Sequence, residues 1–86
     1  MSKEIFFCSH AENKFRIFKR HGLNFTKTQI TEVLLRPEKI VDSDRFRKIA
    51  QKEFKPGYLL RVVFEETKES ITVITFYPAK RSRYEY

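Results

Sequence analysis

Arg61 lies inside an apolar run, Leu59-Leu60-Arg61-Val62-Val63, of the kind that forms strands. A guanidinium in mid-strand has to be functional, paired, or on an open face of the sheet. Its natural chemistry is with phosphate, because it grips two oxygens at once and never deprotonates. His10 is the one imidazole placed on an ordered element, at a helix start. The positive end of the helix dipole disfavours imidazolium there, which leaves a neutral ring able to accept a proton. A hydrogen bond from His10 to a nearby backbone group is the competing reading. Tyr77 can donate to a phosphate or stack on a base, and Thr75 can donate. Near the C-terminus Lys80, Arg81, Arg83, Tyr84 and Tyr86 interleave cations with rings. That pattern suits single-stranded nucleic acid, with phosphates on the cations and bases on the rings, and it equally describes a solvated tail.

Helices and strands must position these groups. Ser9 and Glu12 have the spacing of a capping box, and Ala11, Phe15 and Phe18 then recur at helical spacing. Lys14, Arg16, Lys19 and Arg20 leave the opposite side basic. They are most simply a solvated face, with phosphates or an acidic partner as the functional alternative. Gly22 is placed for a left-handed C-cap. A second capping box at Thr26 and Gln29, flanked by Phe25 and Ile30, opens another short helix that Pro37 stops. The period then changes. Lys39–Val41 reads as an edge strand. Residues 46–54 read as a strand with a helix as competitor, because Lys, Gln and Glu are good helix formers. Tyr58–Glu65 and Ile71–Tyr77 read as a hairpin with a loop over Glu66–Ser70. Pairing Glu65 with Ile71 sets Arg61 opposite Thr75 and Leu59 opposite Tyr77. Arg61, Thr75 and Tyr77 then share one accessible face, and Leu60, Val62, Phe64, Ile74 and Phe76 the buried one.

The chain has 86 residues, 18 Lys+Arg against 11 Asp+Glu, and a formal charge of +7. Residues 1–43 hold eight cations and five anions, and residues 44–86 hold ten and six, so the excess is spread throughout. Such a balance favours nucleic acid, an anionic surface or an acidic protein as partner. The length makes residues 1–86 a single domain, with 80–86 as a candidate basic, aromatic tail. A lone Cys8 excludes an intrachain disulfide, and Cys8 with His10 supplies too few ligands for zinc, so neither metal nor cofactor is expected. Without a long apolar run the expectation is a cytoplasmic protein that does not engage a membrane. The fold class is α+β: two short N-terminal helices on a twisted antiparallel sheet of three to five strands.

The order of features also carries a resemblance. Ser9-His10-Ala11 opens the first helix, Arg20 and Gly22 precede the second, and Leu35-Arg36-Pro37-Glu38-Lys39 closes it. Leu60-Arg61-Val62-Val63 and Val73-Ile74-Thr75-Phe76-Tyr77 follow. From about Phe7 to Tyr84 this resembles small bacterial and archaeal domains related to BrnT-like and RelE/ParE-type toxins of type II toxin–antitoxin systems. The resemblance implies RNA, including ribosome-bound mRNA, in the concave face of the sheet, and a small acidic antitoxin as protein partner. It also implies metal-independent RNA cleavage. For that reaction Arg61 would stabilise the phosphate, His10 would move the proton, and Tyr77 would assist. Thr75, Arg20, Lys80, Arg81, Arg83 and Tyr84 would hold the strand. A non-cleaving nucleic-acid-binding module, and a toxin that binds a protein target, are the alternative functions.

Overall fold

The computed structural model describes residues 3–83. In chain order they form β1 (Glu4–Phe7), α1 (Ser9–Arg20), α2 (Lys27–Leu35), β2 (Lys39–Asp42), β3 (Arg47–Lys55), β4 (Tyr58–Glu66), β5 (Ser70–Lys80) and a final 3₁₀ turn, Arg81–Arg83. One five-stranded sheet has the order β1-β5-β4-β3-β2. Both helices pack on one of its faces, which makes the domain α+β. The sheet is mixed and not wholly antiparallel, because β1 pairs parallel with β5. Residues 46–54 resolve to strand: Ala50 must reach the core and Lys52 must reach Glu32 on α2, and only period-two alternation delivers both.

The local signals act much as physical chemistry requires, with one exception. α1 ends in a Schellman motif, with Leu23 N donating to Phe18 O, Gly22 N donating to Lys19 O, and Gly22 at φ +80°. The Thr26–Gln29 capping box forms at α2, and Phe25 and Ile30 are both buried. The expected box at Ser9 does not form. Cys8 is the N-cap, without a side-chain cap bond, and Glu12 turns instead to Lys27 at 2.9 Å. Chain entry from β1 puts Ser9 already inside the first turn.

The hairpin register also differs from the expected one. Glu66 pairs with Ile71, so the loop is only Thr67–Glu69, and a bulge at Ile74 shifts the pairing by one more residue. Arg61 thus stands opposite Tyr77, and Leu59 opposite Ala79. The cause is the spacing Ile71, Val73, Phe76. All three reach the helix face only if one extra residue is inserted, which is what a bulge does. Ile71 and Val73 therefore join the core, and Ile74 is only half-buried. β1 pairs as far as Val73. There Cys8 N donates to Val73 O and Cys8 Sγ to Ile74 O, both at 3.1 Å, and the chain leaves the sheet for α1.

Between helices and sheet, the rings of Phe7, Phe15, Phe76, Phe18, Phe25 and Phe54 contact one another in sequence. Ala11, Ile30, Val33, Leu60 and Val62 fill in around them.

Candidate nucleic-acid interface

Alternation along β4 puts Leu60, Val62 and Phe64 under the helices, so Arg61 points to the far face of the sheet. There it stands in a row with Gln51 on β3 and Tyr77 on β5. Arg61 Nη1 donates to Tyr77 Oη at 3.0 Å, and the guanidinium carbon lies 5.7 Å from the ring centroid. Thr75 lies on the same face, opposite Val63. The strands thus bring Arg61, Thr75 and Tyr77 together, as expected. Their accessibility is less than expected: Arg61 is only 7% exposed, Thr75 and Tyr77 are half-buried, and on the same face Gln51 and Leu59 are buried. Thr75 Oγ1 and Gln51 Oε1 are buried without a hydrogen-bond partner among the described residues. This far-face row is a preorganised guanidinium–phenol pair in a largely desolvated setting, where electrostatic interactions gain strength.

His10 does not join it. It is exposed on the first turn of α1, beside fully buried Ala11 on the helix layer. The sheet separates His10 from Arg61 and Tyr77.

The residues expected to form a tail divide as well. Lys80 is the last residue of β5, and Arg83 is exposed in the 3₁₀ turn. Arg81 is committed to the fold. Its backbone N donates to Gly57 O, Nη2 meets Glu38 Oε1 at 2.7 Å, and Nε meets Glu53 Oε2 at 3.3 Å. Hydrogen bonds from Arg81, and then from the Glu53 backbone N–H, hold the Glu38 carboxyl below its ordinary value of 4.5. Lys52 and Arg36 do the same for Glu32. The remaining aromatic positions, Tyr84 and Tyr86, lie outside the described residues.

A second region assembles at the end of the domain where α1 stops. Phe18, Phe25, Phe54 and Tyr58 form a chain of rings with centroid spacings of 5.6, 5.3 and 6.5 Å. Lys14 Nζ lies 5.3 Å from the Phe18 centroid, and Lys55 Nζ lies 4.7 Å from that of Tyr58. Pairing sets Lys55, Tyr58 and Lys80 in one row across three strands. Lys14, Arg16, Lys19, Arg20, Lys55 and Lys80 have no carboxylate within ion-pair distance among the described residues. The carboxylates Glu12, Glu32, Glu38, Glu53, Glu65 and Glu66 are all engaged by other cations.

The surplus charge of the domain therefore has a place in the fold. No protein-family model, curated protein or solved structure matches the chain. The reading of its function rests on this geometry.

The sequence does not mark Lys55 and Tyr58 as binding residues, and Tyr58 enters its reading only as the start of a strand. Their partnership with Lys80 depends on the register, which the bulge sets. Among the described residues no group of three or more His, Cys, Asp or Glu side chains could hold a metal ion. No helix there is long and apolar enough to cross a membrane.

Proposed function

We propose that this domain binds RNA, as single strands, through the basic aromatic end formed by α1, the β3–β4 turn and Lys80. The observation that carries the reading is that Lys14 stands over half-buried Phe18 and Lys55 over half-buried Tyr58, at the two ends of a ring chain that is anchored in the core by buried Phe25, while no carboxylate among the described residues offsets either cation. Cations that track phosphates, beside rings that accept bases, are what sequence-tolerant strand binding needs. Arg20, Lys19 and Lys80 extend the same positive surface. RNA is also the partner class implied by the resemblance to BrnT-like and RelE/ParE-type toxins, and the cytoplasm is where the two would meet.

The test is a quadruple variant with Lys19, Arg20, Lys55 and Lys80 replaced by Ala. RNA affinity should fall across unrelated sequences, and the log–log salt slope should flatten by roughly 0.7 for each phosphate that the variant no longer neutralises. Parent-like slope and affinity would remove this surface from consideration.

A second reading is favoured by the Arg61–Tyr77 contact at 3.0 Å. It is a metal-independent RNA-cleaving toxin, held in check by a small acidic antitoxin, with ribosome-bound mRNA within its substrate range. With His10 on the helix layer, Tyr77 in this reading would give its proton to the 5′-oxygen leaving group, water would take the proton of the attacking 2′-hydroxyl, and Arg61 would stabilise charge on the phosphate. Inducing the protein in cells and mapping RNA ends separates the two readings. Cuts that vanish in Arg61→Lys and Tyr77→Phe, while RNA affinity persists, establish cleavage. Intact RNA ends leave the domain a binder.

A further inference from the structure

The tip of the β2–β3 hairpin holds a large ring in water. Phe46 is 72% exposed, and the turn that presents it is well bonded. Asp44 Oδ1 accepts the backbone N–H groups of Phe46 and Arg47, each at 3.0 Å. Ser43 N and Asp44 N both donate to Arg47 O, at 3.0 and 3.3 Å. The Arg45 guanidinium carbon stands 5.4 Å from the Phe46 centroid.

Beside the ring is a cavity of about 360 Å³ bounded by this turn, the start of β3 and Glu66. Its charged groups are unequally engaged. The Asp44 carboxylate serves the turn, Arg47 meets Glu65 at 3.0 Å, and Glu66 meets Lys3 at 2.6 Å. Arg45, Lys48 and Asp42 line the same space with no ion-pair partner among the described residues. An exposed ring, two cations and one carboxylate around a cavity of this size have a matching ligand class.

We infer that this cavity binds a guanine nucleotide. The base stacks on Phe46, the phosphate meets Arg45 and Lys48, and Asp42 accepts the paired N–H donors of the guanine edge. Adenine offers a carboxylate one donor beside a repelling ring nitrogen, so it binds less well. β3 separates this turn from the basic aromatic end by about 27 Å, at some 3.3 Å per residue. The site is therefore independent of the proposed RNA surface. The same chemistry serves a free nucleotide or a guanine within a strand, and the experiment includes both.

The full chain, labelled with ¹⁵N, is titrated with GMP, with AMP and with a short single-stranded RNA containing one guanine. Amide signals of residues 42–48 should move with GMP, with the RNA, or with both. A response to GMP alone identifies the free nucleotide as ligand, and a response to the RNA alone identifies a guanine in a strand. Phe46→Ala should weaken that response about tenfold or more, the range expected when a base loses its stacking ring, and Phe46→Tyr should retain it. Asp42→Asn should erase the preference for guanine over adenine. Because the ring is exposed, Phe46→Ala should melt like the parent, which excludes misfolding as the cause. The quadruple variant of Lys19, Arg20, Lys55 and Lys80 should leave the response of residues 42–48 to GMP unchanged, so failure at either surface is recognisable separately. Residues 42–48 unmoved by both ligands, or Phe46→Ala binding as well as the parent, would overturn the inference. So would a loss of self-association as the sole effect of Phe46→Ala, since it would make the ring a protein contact.

Discussion

Leu60, Val62, Phe64, Val73 and Phe76 face the helices and form, with the rings of α1 and Phe25, a wholly apolar interior. On the other face of β3, β4 and β5 stand Gln51, Arg61, Thr75 and Tyr77, and Gln51 and Arg61 are about as well buried as Phe25, Leu34 and Ile71 of the core. The helix face stabilises the domain by removing carbon from water. The far face desolvates a guanidinium, an amide and a hydroxyl, and it leaves Gln51 Oε1 and Thr75 Oγ1 without partners among the described residues. Desolvated polar groups cost stability unless they are hydrogen-bonded; Arg61 has Tyr77 as a partner, and the uncompensated cost among the described residues falls on Gln51 and Thr75.

Substitutions of opposite sign would sharpen this comparison. The largest effect belongs to Phe76, which is fully buried and touches the rings of Phe15, Phe18 and Phe25. Phe76→Ala should destabilise the domain by about 3–5 kcal/mol in denaturant titration, the usual range for an aromatic deleted from a core. A loss below ~1 kcal/mol would mean that the ring chain packs loosely.

On the far face the sign reverses. Thr75→Val keeps the shape and the β-branch while removing a buried hydroxyl that has no partner among the described residues. The midpoint of unfolding should rise, by about 1 kcal/mol in stability. If RNA cleavage is established, the same variant should lose rate while gaining stability, the trade expected of a polar group kept for function. A destabilised Thr75→Val would show that the hydroxyl is satisfied in solution and would weaken the contrast between the faces.

The same contrast explains what was legible in the sequence. The helix face was read well, because Ala11, Phe15 and Phe18, and Leu60, Val62 and Phe64, repeat at the periods of their elements, and because the Thr26–Gln29 box and Gly22 act locally. The shared face of Arg61, Thr75 and Tyr77 followed from alternation too. Three features could not be read. The bulge at Ile74 follows from burying Ile71, Val73 and Phe76 together, which is a tertiary demand. The burial of Arg61 depends on what surrounds it in space, and no local pattern encodes that. Arg81 read as part of a basic tail because its partners Glu38 and Glu53 lie 43 and 28 positions away. The row of Lys55, Tyr58 and Lys80 was hidden for the same reason.

The smallest effect compares one carboxylate from each layer. Glu32 on α2 meets Lys52 at 3.1 Å on the helix side, and Glu38 meets Arg81 at 2.7 Å beside Glu53, which shares the far face with Leu59. Both carboxyls are held below 4.5 by hydrogen bonds from their cations. A carboxyl with a lowered folded value binds its proton more readily in the unfolded chain. Its contribution to stability is therefore complete above 4.5 and is lost as the pH falls through the folded value. Both pairs are partly open to solvent, so screening keeps each contribution small. The melting temperature of the parent should decline as the pH drops below 4.5, and Glu32→Gln and Glu38→Gln should each flatten that decline. Glu38 differs from Glu32 in also accepting the Glu53 backbone N–H at 2.9 Å, so its carboxylate holds the start of β2, the end of β3 and the Arg81 turn together. Glu38→Gln keeps an acceptor for that N–H and removes only the charge, whereas Glu38→Ala removes both. The Ala variant should be the less stable of the two at every pH, and the gap between them should not change with pH, because an N–H does not titrate. Equal stability of the two variants would assign the whole effect of Glu38 to the Arg81 ion pair. The backbone contact would then contribute nothing to holding the C-terminal turn against the sheet.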